Sequence, residues 1–100
     1  MKVITICGSM RYADQMKKIA RDLETENGYC VLQPIYNDQK KTDSFSVLEN
    51  LYASHNKKIE LADAIYVVNI NGYIGEATKS EITFAKTNGK EVIYHEPIKQ

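Results

Sequence analysis

Residues 69–85 read NINGYIGEATKSEITFA, and this stretch decides how the rest of the chain is arranged. It opens as the end of the apolar run Ala64–Ile70, crosses a loop containing Gly72 and Gly75, and enters a helix carrying one carboxylate, Glu81, among small residues. Ala77 lies four positions before Glu81 and Ala85 four after, so the three share one helical stripe. A charged side chain on such a stripe, close to a strand's C-terminal end, is an unusual choice if the helix only has to pack. A second reading competes with it. Thr78-Lys79-Ser80-Glu81 fits the capping box, with Thr78 as N-cap and the Glu81 carboxylate tied to the start of the helix.

Upstream, Ala64–Ile70 is the most strand-like run in the chain, and Asp63 reads as a junction cap. Ser44 caps a helix running to about Ala62. Its apolar stripe is Leu48, Leu51, Tyr52, His55, Ile59 and Ala62, which places His55 on the core-facing side. Tyr36–Asp43 is polar and aperiodic, a mobile loop, and Tyr29–Ile35 is a strand closed by Pro34. Val3–Cys7 is a β-rich run of the kind buried on both faces. The turn Gly8-Ser9-Met10-Arg11 follows, then a helical pattern through Tyr12, Ala13, Met16, Ile19, Ala20 and Leu23 that stops at Asn27-Gly28. Downstream, the helix after Gly75 stops at Asn88-Gly89, and Glu91–His95 is a fourth strand ended by Glu96-Pro97.

The alternation is β-α-β-α-β-α-β, with crossovers long enough for parallel pairing. It predicts one α/β domain over residues 1–100, a four-stranded parallel sheet of order 2-1-3-4 with helices on both faces. The order reverses between strands 1 and 3, where open α/β sheets bind ligands. The Gly8-Ser9 turn and the Asn69–Gly75 loop both end there. Such a turn aims backbone N–H groups and a hydroxyl at an anion, although turn chemistry alone also explains it.

Composition narrows the classes. Thirteen basic and 13 acidic residues give zero formal net charge, without the basic stripe a nucleic-acid surface needs. No run approaches the roughly 20 apolar residues of a membrane span, and the N-terminal run is too short for a signal-peptide core. Cys7 and Cys30 fit no metal or redox spacing and read as reduced core thiols of a cytoplasmic protein. His55 and His95 have no ligand-spaced partners, so no metal is expected, and no cofactor is expected either.

Cys7-Gly8-Ser9-Met10-Arg11, Ala62-Asp63-Ala64-Ile65-Tyr66-Val67-Val68, the glycine loop, Glu81 and Ala85 together resemble the nucleoside 2-deoxyribosyltransferase superfamily. The resemblance is strongest to its small branch that includes the 2-deoxynucleoside 5-phosphate N-hydrolases. It implies a flavodoxin-like three-layer sandwich, in agreement with the derived sheet. It also implies that Glu81 is a nucleophile attacking the anomeric carbon of a 2-deoxyribosyl group, with water or a second base completing the reaction. Gly8, Ser9 and Arg11 would anchor the sugar or its 5-phosphate, Asn69, Gly72 and Gly75 would line the site, and Ser80 would add a hydroxyl. The sequence departs from the family at two positions. Thr5 stands where a tyrosine touches the nucleophile, and His55 where an aspartate assists the leaving base.

Three readings follow. One is cleavage of an N-glycosidic bond in a nucleoside or nucleoside 5-monophosphate, with Glu81 as nucleophile and His55 as general acid or orienter. Another is a nucleotide-binding module without turnover, and the third is a structural protein in which Glu81 serves the capping box. Under the first two the resemblance implies a homodimer, since members of the family complete each site with a neighbouring subunit. Leu48, Leu51, Tyr52 and Tyr73 give partial support by offering more apolar surface than one thin sheet must cover.

Overall fold

The structure is a computed structural model that describes residues 1–36 and 44–98. Its strands are β1 (Val3–Gly8), β2 (Cys30–Leu32), β3 (Ala64–Val68) and β4 (Glu91–Tyr94). Its helices are α1 (Ala13–Asn27), α2 (Phe45–Leu61) and α3 (Glu76–Thr87), and short 3-10 turns at Met10–Tyr12 and Ile70–Gly72 follow β1 and β3. The strands pair in parallel in the order β2-β1-β3-β4, a flavodoxin-like arrangement and the order derived from the alternation. Most of the loop predicted over Tyr36–Asp43 lies outside the described residues.

The strand period of two sorts β1 between two cores. Ile4 and Ile6 face one way and Thr5 and Cys7 the other, each at most 1 % exposed. Ile6 packs with Val31, Val68 and the α1 residues Met16, Ala20 and Leu23, spaced i, i+4, i+7. On the opposite face Cys7 packs with Ile65 and Val67 of β3, Ile59 of α2, and Ile82 and Ala85 of α3. One face of the sheet is therefore covered by α1, and the other by α2 and α3.

Helix ends follow local chemistry. Gly28 takes φ 71°, and the N–H groups of Gly28 and Tyr29 return to the Glu24 and Leu23 carbonyls. That use of Tyr29 is one reason β2 is shorter than the predicted Tyr29–Ile35. Pro34, which has no N–H to give, closes off the other end. Ser44 caps α2 as predicted, its hydroxyl accepting from the Val47 N–H at 3.3 Å. Asp63 also does junction work, accepting from the Val3 N–H at 2.9 Å.

Two expectations are corrected at the decisive stretch. β3 ends at Val68 rather than Ile70, because Asn69 turns out of the strand and clamps Glu96. Its Nδ2 donates to the Glu96 carbonyl at 2.9 Å, and its Oδ1 accepts from the Glu96 N–H at 2.8 Å. The capping box does not form. Gly75, in extended conformation, is the N-cap of α3, and the first helical bond runs from the Lys79 N–H to the Gly75 carbonyl at 2.9 Å. Thr78 is consequently buried inside the first turn, and Glu81 sits a full turn too deep to cap anything.

Candidate active site

Parallel pairing brings the ends of β1 and β3 to the same edge, with Gly8 opposite Val68. The strand order reverses between them, and a cavity of about 380 Å³ opens beside this point between the end of β1, α2 and the first turns of α3. Gly8 is needed at its floor. A Cβ there would stand 3.1 Å from Met16 Sδ and 3.2 Å from Val68 Cβ.

The deep wall carries three polar side chains from three elements: Cys7 of β1, His55 of α2 and Glu81 of α3. His55 Nε2 lies 3.5 Å from Cys7 Sγ and 3.5 Å from Glu81 Oε2. Burial pushes the Glu81 carboxyl up to about 7 from its usual 4.5, against a smaller lowering by the adjacent Cys7 thiol. Burial, with Lys58 adding repulsion, drops His55 to about 4. Burial and the Glu81 charge push the Cys7 thiol well above 9. At neutral pH, then, the imidazole is neutral and the thiol protonated, and Glu81 is divided between its two forms. The His55–Glu81 approach is a contact of a neutral ring with a carboxyl group, not an ion pair. His55 Nδ1 is buried without a hydrogen-bond partner among the described residues.

The outer wall is apolar, formed by Pro34, Ile35, Leu48, Leu51 and Tyr52. At the rim the Arg11 guanidinium lies 3.9 Å over the Tyr73 ring, with Nη2 donating to the Tyr73 hydroxyl at 3.2 Å. The Ser9 hydroxyl accepts from the Arg11 N–H at 3.3 Å and so shapes the turn. The first turn of α3 also faces the cavity. Its N-cap Gly75 has no side chain to offer the helix's free amides.

Of the residues singled out in the sequence, Gly8, Ser9, His55, Gly75 and Glu81 line this cavity together. Arg11 reaches it through Tyr73. Asn69 and Gly72 border a separate depression beside Glu96 and Pro97, and Ser80 faces a shallower groove with Asn56 and Phe84 on the other side of Glu81. Cys7 was read only as a core thiol, and Tyr73 only as surplus apolar surface. The signal for Cys7 was its strand parity, shared with Thr5 and opposite to Ile4 and Ile6. Thr5 does not reach Glu81, because its hydroxyl donates to the Lys58 carbonyl at 2.8 Å.

Fold and cavity together define an open α/β protein with a crevice at its switch point. In sequence the chain matches no protein-family model and no curated protein. In structure it is similar to a 2-deoxyribosyltransferase from Bacillus psychrosaccharolyticus. The TM-score is 0.67 at 19 % identity, over 97 % of this chain and 77 % of that one. The chain has a nucleoside 2-deoxyribosyltransferase-like fold. Among the described residues, no helix is long and apolar enough to cross a membrane.

Proposed function

We propose that this protein cleaves the N-glycosidic bond of a nucleoside or nucleoside 5-monophosphate, with Glu81 as the nucleophile. The observation that carries this reading is the release of Glu81 from any capping duty. Its side chain is held, 21 % exposed, in the wall of the switch-point cavity. In its ionised form Glu81 would attack the anomeric carbon while the base leaves with the bonding pair. Water or a second base would then open the sugar ester. The apolar wall from Pro34 to Tyr52 suits a base. The Gly8-Ser9 turn, Arg11 and the uncapped start of α3 suit a 5-phosphate. His55 is assigned to orienting Glu81, since a ring that protonates near 4 is a weak proton donor at neutral pH.

A second reading, nucleotide binding without turnover, is favoured by one observation: the Thr5 hydroxyl is occupied by Lys58 and gives Glu81 no support. Base release from a panel of 2-deoxynucleosides and their 5-monophosphates, followed by chromatography beside Glu81→Ala, separates the two. Release by the wild type alone supports the enzyme. Absence of release, with a thermal shift on adding nucleotide, supports the binding module.

The homodimer belongs to the same proposal. Phe45 and Tyr52 of α2, seven positions apart and so on one helical face, stay exposed, and Tyr52 borders the cavity, an apolar strip that a second copy would cover. A monomeric mass by sedimentation at micromolar concentration would remove it. The free thiols Cys7 and Cys30 suit a reducing compartment such as the cytoplasm.

A further inference from the structure

The reaction above employs Glu81 and gives His55 a supporting part, but it leaves the Cys7 thiol beside them without a role. Cys7, His55 and Glu81 are far apart in the chain, yet the fold brings one donor atom of each within 4.8 Å of the others. We propose that this triad is a divalent-metal site of the zinc type, with Cys7 Sγ, His55 Nε2 and a Glu81 oxygen as ligands and the fourth position open to the cavity.

The geometry is close to what the ion requires. Bonds of about 2.3 Å to sulfur and about 2.0–2.1 Å to nitrogen and oxygen, set tetrahedrally, hold S and N about 3.6 Å apart and N and O about 3.4 Å apart. The corresponding separations here are 3.5 and 3.5 Å. The third edge, from Cys7 Sγ to the Glu81 oxygen, lies within 4.8 Å and needs at most a side-chain adjustment to reach the about 3.5 Å of a tetrahedral site. A thiolate and an imidazole select a borderline-soft ion such as Zn²⁺ over Mg²⁺ or Ca²⁺, which take oxygen donors. All three ligands sit on regular elements and border one cavity, so the ion has both a rigid frame and a way in. On binding, the ion takes the place of the thiol proton and of any proton on Glu81, and these pass to the buffer. His55 Nδ1 then carries the ring proton and has no acceptor among the described residues. That missing partner sets the affinity about 10–100-fold below that of a fully supported site. The metal also occupies the carboxylate that would attack the sugar, so zinc and base release exclude one another. The site itself stands on the three donor atoms alone, whether or not the chain turns over a nucleoside.

The test is a titration of the chelator-stripped protein with Co²⁺, followed by displacement with Zn²⁺. The expected result is one equivalent of tetrahedral cobalt, with visible ligand-field bands and a thiolate-to-cobalt charge-transfer band that zinc removes. Cys7→Ser should abolish the charge-transfer band, and Cys30→Ser, which alters the other free thiol, should leave it intact. Glu81→Gln should weaken cobalt binding about 10-fold or more while the charge-transfer band persists at saturation. It provides a second check should Cys7→Ser fail to fold. No cobalt spectrum in the wild type, or a band lost in Cys30→Ser but kept in Cys7→Ser, overturns the proposal. Base release is scored separately in chelator, so cobalt binding without release would sink the enzyme reading and leave the metal site standing. Release without cobalt binding would do the reverse.

Discussion

The two faces of the sheet are built from the same strands and buried to the same depth, yet they are chemically unlike. On the α1 side Ile6 meets Met16, Ala20, Leu23, Val31 and Val68, with no titratable group among these buried residues. On the α2–α3 side the equivalent layer holds a hydroxyl, a thiol, an imidazole and a carboxyl group: Thr5, Cys7, His55 and Glu81. Buried polar groups cost stability unless they are matched, and only some of these are. Thr5 is satisfied by the Lys58 carbonyl, and His55 Nδ1 is not satisfied at all. The difference separates the two tasks of a small domain. The α1 face supplies stability without chemistry, and the α2–α3 face gives up some stability to keep titratable groups beside a cavity.

The largest effect expected is also the most direct way to break this division. Glu81→Ala should lower base release by a factor on the order of 10³ or more, as loss of a nucleophile does, while leaving the thermal midpoint near or above that of the wild type. On the other face Leu23→Ala should cost about 2–3 kcal/mol in urea denaturation through lost burial and a residual cavity, with release per folded molecule unchanged. A large drop in release per folded Leu23→Ala molecule would show that the α1 face is not merely structural.

The pH dependence of stability sharpens the contrast, because the two titrating groups of the α2–α3 face act in opposite senses. In the folded protein Glu81 holds its proton up to about 7 rather than 4.5. The folded state therefore binds more protons than the unfolded one across that window, and stability falls as pH rises through it. His55 protonates at about 4 rather than 6.5, so there the unfolded state binds more protons and stability rises with pH. Each contribution is about 3 kcal/mol, and between about pH 4.5 and 6.5 they nearly cancel. In chelator-treated protein, Glu81→Gln should gain on the wild type as pH rises from 4.5 to 7. His55→Gln should gain on it as pH falls from 6.5 to 4. Denaturation curves of both variants that track the wild type in parallel across pH 4–8 would mean that neither group is desolvated as the fold implies.

The sequence made the scaffold legible because scaffold signals are local. The β-rich run Val3–Cys7, the helical spacing of Met16, Ala20 and Leu23, the Gly28 stop and the Ser44 cap each depend on a few neighbouring residues. The switch point followed from strand order, and with it the meeting of the Gly8-Ser9 turn with the loop ending at Gly75, whereas Glu81 and His55 entered the site through the family resemblance. What escaped was set at longer range. Asn69 looked like a site residue at a strand end, but its partner is Glu96, 27 positions on, and both ends of its amide are consumed there. Cys7 looked like packing because no histidine or acid lies near it in sequence; the contact with His55 spans 48 positions and needs α2 laid across the sheet. The start of α3 was misread for another reason. Thr78-Lys79-Ser80-Glu81 satisfies the capping-box pattern, and Gly75 satisfies the cap geometry three residues earlier.

That last competition leaves α2 and α3, on the same face, with opposite N-termini. Ser44 closes the first turn of α2 with its own hydroxyl, whereas Gly75 leaves the amides of α3 free toward the cavity. Gly75→Ser would make the two alike. Its backbone is already extended, at φ −76° and ψ 170°, and a Cβ there meets only the Tyr73 ring and hydroxyl, at 3.4 Å or more. The substitution should stabilise the protein by a few tenths of a kcal/mol, about what a serine cap gains over glycine. It should also place a hydroxyl on the amides assigned to a 5-phosphate. KM for a nucleoside 5-monophosphate should then rise by about severalfold while that for the unphosphorylated nucleoside stays level. Equal KM changes for both substrates would place the phosphate elsewhere, leaving Arg11 and the Gly8-Ser9 turn to hold it without the helix.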